Sequence, residues 1–153
     1  MSKLKEHTGM EVVDKNTVPN TQITLTIPGE PKAKQRPKWF KHGTYTPEKT
    51  VSYESYIKEL FATKYPTFMP VGSAITLHIW AGILMPKSTS KKKLGEMKMG
   101  IIKPTKSPDV DNILKTVMDS LEKLAYKNDS QICHVVIDKD YSERPRLEIT
   151  ISW

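Results

Sequence analysis

The residues with the clearest chemical use lie in one stretch, Ser107-Pro108-Asp109-Val110-Asp111-Asn112-Ile113-Leu114-Lys115, continuing to Asp119. Two carboxylates two residues apart at a helix start point toward one place, and neighbouring carboxylates repel unless a cation comes between them. Oxygen ligands of this kind suit a hard divalent ion, and Mg²⁺ held by a few carboxylates keeps open water positions. Such an ion can orient a water and stabilise charge on a phosphodiester. Lys115, one helical turn beyond Asp111, is placed to assist the attacking water or to neutralise charge developing on the phosphate. A further acid, Asp129, stands in the loop Lys127-Asn128-Asp129-Ser130. The same residues also fit plainer roles: an Asp before a helix is often a cap, an Asp–Lys pair four apart an exposed ion pair, and Asn-Asp a turn. Spacing alone does not separate the two.

The elements that must position these residues can be read from periodicity. Ile23, Leu25 and Ile27 alternate with threonines and predict a first strand that ends at Pro28-Gly29. A basic loop from Gly29 to Thr46 follows. Thr46-Pro47-Glu48 reads as a helix start, with Tyr53, Tyr56, Ile57, Leu60 and Phe61 at helical spacing and Pro66 at the exit. Ile75, Leu77, Ile79, Ala81 and Ile83 predict a long second strand. A lysine-rich stretch from Pro86 to Pro108 holds a short helix near Ser90 or no regular structure. A helix is expected from about Val110 to Ala125, with Leu114, Val117, Leu121 and Leu124 on its buried face and Asp111, Lys115, Asp119 and Glu122 opposite. Strands near Ile132–Ile137 and Leu147–Ile151 close the chain, with Ser142 and Pro145 in the turn between them. The order β-α-β-α-β-β implies an α+β domain: a mixed sheet of about four strands with two main helices packed on it.

Length and composition bound the reading. A chain of 153 residues supports one domain, expected over residues 21–153, and the polar, aperiodic residues 1–20 read as a loosely attached, flexible extension. No apolar run is long enough for a membrane span, and the N-terminus has no signal-peptide core, so no membrane partner is expected. A single cysteine, Cys133, excludes an internal disulfide, suits a cytoplasmic location and is expected to be a small buried strand residue. The four histidines are scattered without metal spacing. The net charge of +7 is segregated: residues 1–106 carry 18 Lys and Arg against 8 Asp and Glu, residues 107–153 carry 6 against 9. Such segregation favours a polyanionic partner, and nucleic acid is the commonest.

Taken together, these motifs closely resemble the RusA family of Holliday-junction resolvases, small endonucleases of bacteria and their phages. The carrying residues are Pro108-Asp109-Val110-Asp111-Asn112, Lys115, Asp119-Ser120-Leu121 and Asn128-Asp129-Ser130-Gln131-Ile132, with Pro31 through Pro37 and Pro86 through Lys93 upstream. The resemblance spans about Ile23 to Ile151. It implies Mg²⁺, for which Mn²⁺ can substitute, held by Asp109, Asp111 and Asp129, with Lys115 as the catalytic lysine and Asp119 as a supporting acid. It implies a homodimer and paired cleavage of four-way junctions in recombination and repair, in a bacterial or prophage setting. Beside the acidic site, charge makes Lys34, Arg36, Lys87, Lys91, Lys92, Lys93, Lys98, Lys103 and Lys106 the expected DNA-phosphate contacts. One departure is visible: where the family has paired aspartates after the helix, this chain has Asn128-Asp129. Three rivals remain: a metal-dependent nuclease for other branched DNA, a non-catalytic, structure-specific DNA-binding protein of the same fold, and, last, a structural ion-pair protein with no nucleic-acid partner.

Overall fold

The computed structural model describes residues 21–33, 38–45 and 48–153. The expected extension at residues 1–20, the Thr46-Pro47 helix start and the basic positions Lys34 and Arg36 lie outside them.

Three strands precede the first helix: β1 (Gln22–Pro28), β2 (Lys38–Phe40) and β3 (Gly43–Tyr45). After α1 (Glu48–Lys64) come β4 (Ile75–Leu84), α2 (Lys91–Lys98), α3 (Val110–Leu121), a 3₁₀ turn at Asp129–Gln131, β5 (Ile132–Ser142) and β6 (Arg146–Ser152). The main sheet has the order β1-β6-β4-β5; β4 and β5 run parallel, and β6 runs antiparallel to both β1 and β4. It is the expected mixed four-stranded α+β sheet. The β2–β3 pair forms a small separate ribbon inside the stretch expected to be only a loop.

Alternation along the strands decides which face of the sheet is covered. Ile75, Leu77, Ile79 and Ala81 of β4 and Leu147, Ile149 and Ile151 of β6 are buried on one face, together with Leu25 and Ile27 of β1. Burying one such aliphatic side chain stabilises the fold by about 1.5–3 kcal/mol. Helices α1 and α3 cover this face, packing on each other, on β1 and on β5. Tyr53, Ile57 and Phe61 of α1 are buried there, whereas Tyr56 stays 37% exposed.

The parallel β4–β5 pair cannot be joined by a tight turn, so the chain must cross over. The crossover is the lysine-rich stretch together with α2 and α3. Ser90 caps α2, its hydroxyl accepting the Lys93 N–H at 3.4 Å, which resolves the expectation of a short helix there. The following loop is tied to the sheet at both of its sides. On the open face, the Trp80 indole lies across Gly82, where a Cβ would sit 2.6 Å from the ring, and its Nε1 donates to Asp140 at 2.9 Å. Lys103 pairs with the same Asp140, Lys98 with Glu143, and Arg146 stacks 4.6 Å from the Trp80 ring centre.

Two sequence expectations need correction. Helix α3 ends at Leu121, not near Ala125, because Lys123 turns into the left-handed region (φ 67°) and donates its N–H to the Tyr126 carbonyl at 2.6 Å. Cys133 is exposed rather than buried. Ile75 pairs with Ile132 but Thr76 with His134, so Cys133 is the extra residue of a bulge and leaves the ladder.

Candidate active site

The buried face of α3 is Ile113, Thr116, Val117, Ser120 and Leu121. Leu114, expected to be buried, is only partly so. The rotation is possible because the two hydroxyls satisfy themselves: Thr116 Oγ1 donates to the Asn112 carbonyl at 2.9 Å and Ser120 Oγ to the Thr116 carbonyl at 2.6 Å. Polar residues can thus face the core without an orphaned donor.

This rotation leaves Asp111, Leu114, Lys115, Met118 and Asp119 along the opposite side of the helix. With Asp129 they line a pocket of about 290 Å³. Four of the five candidate residues, Asp111, Lys115, Asp119 and Asp129, therefore border one space. Asp109 lies just beyond it, at the N-cap of α3. The pocket is a strip and not a ring, since eight residues of helix place the Asp111 and Asp119 backbones roughly 12 Å apart along the axis. Leu114 and Met118 give it an apolar floor.

Asp129 reaches the strip because its turn is clamped. Asn128 Oδ1 accepts the Ser130 N–H at 2.9 Å, and Gln131 Oε1 accepts the Asn128 N–H at 2.8 Å, completing a capping box. Gln131 Nε2 also donates to the Val71 and Ser73 carbonyls at 2.9 and 2.8 Å, fixing the turn to the chain that enters β4. The Asn at 128 accordingly does acceptor work that an aspartate would do equally well, so the departure from the paired-acid pattern leaves the turn's geometry intact. Beneath the turn, fully buried Tyr126 donates its hydroxyl to the Met118 carbonyl at 2.8 Å. Burial first, then the negative charges of Asp129, Glu122 and Asp119, push that hydroxyl well above the ordinary phenol range. Three acids thus act on one end of the strip.

The donor chemistry suits a hard cation: every candidate ligand is a carboxylate, and Asp109, Asp111 and Asp129 are exposed. Among the described residues, no three His, Cys, Asp or Glu side chains form a ready-made cage. Mg²⁺ does not require one, because it commonly takes one or two carboxylates and completes its shell with water and substrate phosphate.

The basic candidates divide. Lys87, Lys91, Lys92, Lys93 and Lys106 are exposed, and none of their ammonium groups is ion-paired among the described residues. Lys98 pairs with Glu143, and Lys103, expected likewise to contact DNA, has its ammonium in the ion pair with Asp140. Nothing local in the sequence announces that pairing, since 37 residues separate the partners. The sequence reading gave no role to Gln131, although Asn128-x-x-Gln131 is a capping-box spacing, and it passed over Leu114 and Met118 as pocket lining.

A small basic α+β domain with an acidic strip beside a lysine-rich crossover is the class of protein that fold and charge define here. The chain matches the family described as Endodeoxyribonuclease RusA over residues 28–152. It is also similar to the uncharacterized protein YqaN of Bacillus subtilis (strain 168), 36% identical over 135 residues that cover 84% of this chain and 94% of that protein. This chain belongs to the RusA endodeoxyribonuclease family. That membership places it among the hydrolases that cut DNA. Among the described residues no helix is long and apolar enough to cross a membrane.

Proposed function

We propose that this chain is a Mg²⁺-dependent resolvase that hydrolyses phosphodiesters in pairs at four-way DNA junctions during recombination and repair, acting as a homodimer. The observation that carries the reading is the single pocket bordered by Asp111, Lys115, Asp119 and Asp129 in a chain of this family. Asp109 and Asp111, at the start of α3, and Asp129, which borders the same pocket as Asp111, would hold the ion. When bound, Mg²⁺ (or Mn²⁺) supplies charge neutralisation at the phosphodiester and orients a water for in-line attack.

The remaining work falls to the chain. Lys115 places its ammonium one turn from Asp111, where it offsets negative charge that grows on the phosphate as the bond breaks. Leu114 and Met118 keep bulk water from the pocket floor, which strengthens that interaction. Asp119 adds to the negative potential that draws a cation in. Lys87, Lys91, Lys92, Lys93 and Lys106 would neutralise backbone phosphates on either side, giving affinity without sequence reading. A symmetric pair of cuts needs two related sites, which a twofold dimer provides.

The test is cleavage of an end-labelled synthetic four-way junction in Mg²⁺, with linear duplex as control, for wild type and Asp111→Asn. Wild type is expected to cut the junction at paired positions and to spare the duplex. Asp111→Asn should lose about 10²–10³-fold in rate while binding the junction as tightly, the scale on which essential electrostatic groups act. Cuts on flaps or replication forks in preference to junctions would replace the substrate. Tight junction binding with no cut in either Mg²⁺ or Mn²⁺ would leave a structure-specific binding protein.

A further inference from the structure

We infer that Lys139, a residue of β5 with no part in the site's own lining, is the positioning residue for Asp109. The inference rests on the nuclease reading above. Lys139 lies on the side of β5 that faces the helices, in register with Ala81 of β4. Its Nζ donates to the Lys106 carbonyl at 2.8 Å and to the Pro108 carbonyl at 3.0 Å. One ammonium thereby grips the two carbonyls that flank Ser107 and fixes the peptide that enters Asp109. An ammonium is suited to this work, because its three donors can serve carbonyls that diverge.

The loop's other ties to the sheet, Lys98 to Glu143 and Lys103 to Asp140, lie before Lys106 and do not touch the Ser107-Pro108 stretch. On its other flank Ser107 and Pro108 border a cavity of about 230 Å³, shared with Glu30, Pro31, Ile83 and Leu84. That stretch is therefore not wedged by close packing on this flank, and the hydrogen bonds from Lys139 tie it to the sheet. A residue within a β-ladder is a rigid anchor, whereas a loop beside a void is free to shift.

What the anchor controls is visible at Asp109. Its backbone is that of an N-cap: φ −77°, ψ 146°, with its carbonyl accepting the Ile113 N–H at 3.0 Å. An aspartate there ordinarily turns its carboxylate back onto the first-turn N–H groups. Asp109 does not, and its side chain makes no capping hydrogen bond. The carboxylate is thus not engaged by the first turn of the helix. With the grip of Lys139 gone, the entering peptide can rotate and the carboxylate can settle onto the helix as an ordinary cap.

The experiment uses full-length protein in five forms: wild type, Lys139→Met, Lys139→Arg, Asp109→Ala and the pair Lys139→Met with Asp109→Ala. Mn²⁺ binding is measured by calorimetry without DNA, beside the Mg²⁺ concentration for half-maximal junction cleavage and the melting temperature in chelator. Lys139→Met should weaken Mn²⁺ binding about 10-fold or more, the usual cost of losing an outer partner of a metal ligand. The Mg²⁺ requirement should rise by a similar factor, with the rate at saturating Mg²⁺ within about threefold of wild type. Lys139→Arg, which keeps the donors, should recover most of the affinity. In the Asp109→Ala background Lys139→Met should add nothing, because the two act through one carboxylate. A merely structural lysine predicts a lowered melting temperature with unchanged metal affinity, and that result overturns the inference. So does additivity with Asp109→Ala, and so does a Lys139→Arg variant as weak in metal binding as Lys139→Met. Wild-type protein that binds no Mn²⁺ and cuts no junction overturns the nuclease reading itself, a different failure from wild-type activity indifferent to position 139.

Discussion

The two halves of the crossover between β4 and β5 look alike in sequence and behave differently in the structure. The first half, from Lys87 to Lys93, holds four lysines whose ammonium groups point to solvent without an ion pair among the described residues. In the second half, Lys98 is spent on Glu143, Lys103 on Asp140, and the backbone at Lys106 and Pro108 is gripped by Lys139. Charge in the first half is available for a polyanion. In the second half Lys98 and Lys103 secure the loop that delivers Asp109 and α3, and Lys106 keeps an ammonium with no ion pair among the described residues. Positive charge on a nucleic-acid-binding protein is therefore no uniform footprint, and the partner of each cation decides what it does.

The sharpest way to break that distinction is to remove the available charge. Changing Lys91, Lys92 and Lys93 together to alanine should weaken junction binding by about 30-fold at moderate salt and lower the slope of log affinity against log salt by about 2–3, since each phosphate contact contributes roughly 0.9. The melting temperature should hardly move, because exposed side chains of this kind seldom shift stability by more than about 0.5 kcal/mol. Titrations by fluorescence anisotropy across a salt series measure both quantities. An unchanged slope would show that these lysines do not meet phosphate, and the contrast between the halves would collapse.

A clamp on the far end of the strip should respond in the opposite sense. Gln131→Leu leaves the Val71 and Ser73 carbonyls and the Asn128 N–H without their side-chain partner. The loss should be about 0.5–1.5 kcal/mol of unfolding free energy, the usual net worth of a hydrogen bond where water can reach most of the groups left behind. Cleavage should fall with it, because Asp129 rides on that turn, while the salt slope of DNA binding stays as in wild type. Urea unfolding beside the anisotropy assay separates the two. A stable Gln131→Leu variant with full activity would mean that the turn holds Asp129 without the clamp.

The contrast also marks what could be read from sequence. Strands β1, β4 and β6 and the polar face of α3 were legible because half-burial writes itself into local periodicity. The Asp109, Asp111, Lys115 and Asp129 candidates were legible through residue type and family resemblance. The β2–β3 ribbon was not, since strands of three residues carry no alternation to count. Nor was the exact seating of α3: leucine at 114 suggested a buried position, and only the back-bonded hydroxyls of Thr116 and Ser120 explain how the core prefers another face. Least legible were the partners of Lys98, Lys103, Lys139 and Gln131, which come from strands and loops 31 to 60 residues away. The same lysine-rich text encodes a ligand surface or an internal strut, according to what the crossover lays it against.

The smallest effect tests the strut directly. The Lys103 ammonium, hydrogen-bonded to Asp140, holds that carboxyl below the usual carboxylate range against a lesser upward push from burial, with the Trp80 N–H adding to the depression. A carboxylate whose pKa is lowered by folding contributes stability that is complete above its unfolded pKa, about 3.9, and is lost as pH falls through the folded value. Lys103 is 57% exposed, so screening keeps the pair's contribution to about 0.2–1 kcal/mol. Lys103→Met should cost that amount at pH 6, and the difference from wild type should shrink as pH falls from about 4 through the lowered folded value, where Asp140 of the wild type takes up its proton too. Junction affinity at neutral pH should stay within about twofold of wild type, in contrast with the triple alanine change, because an internal strut holds no phosphate. Urea unfolding at pH 6 and pH 3 measures the first, and anisotropy the second. A loss of DNA affinity in Lys103→Met as large as one third of the triple variant's, on a logarithmic scale, would return Lys103 to the phosphate-binding set and erase the boundary between the two halves.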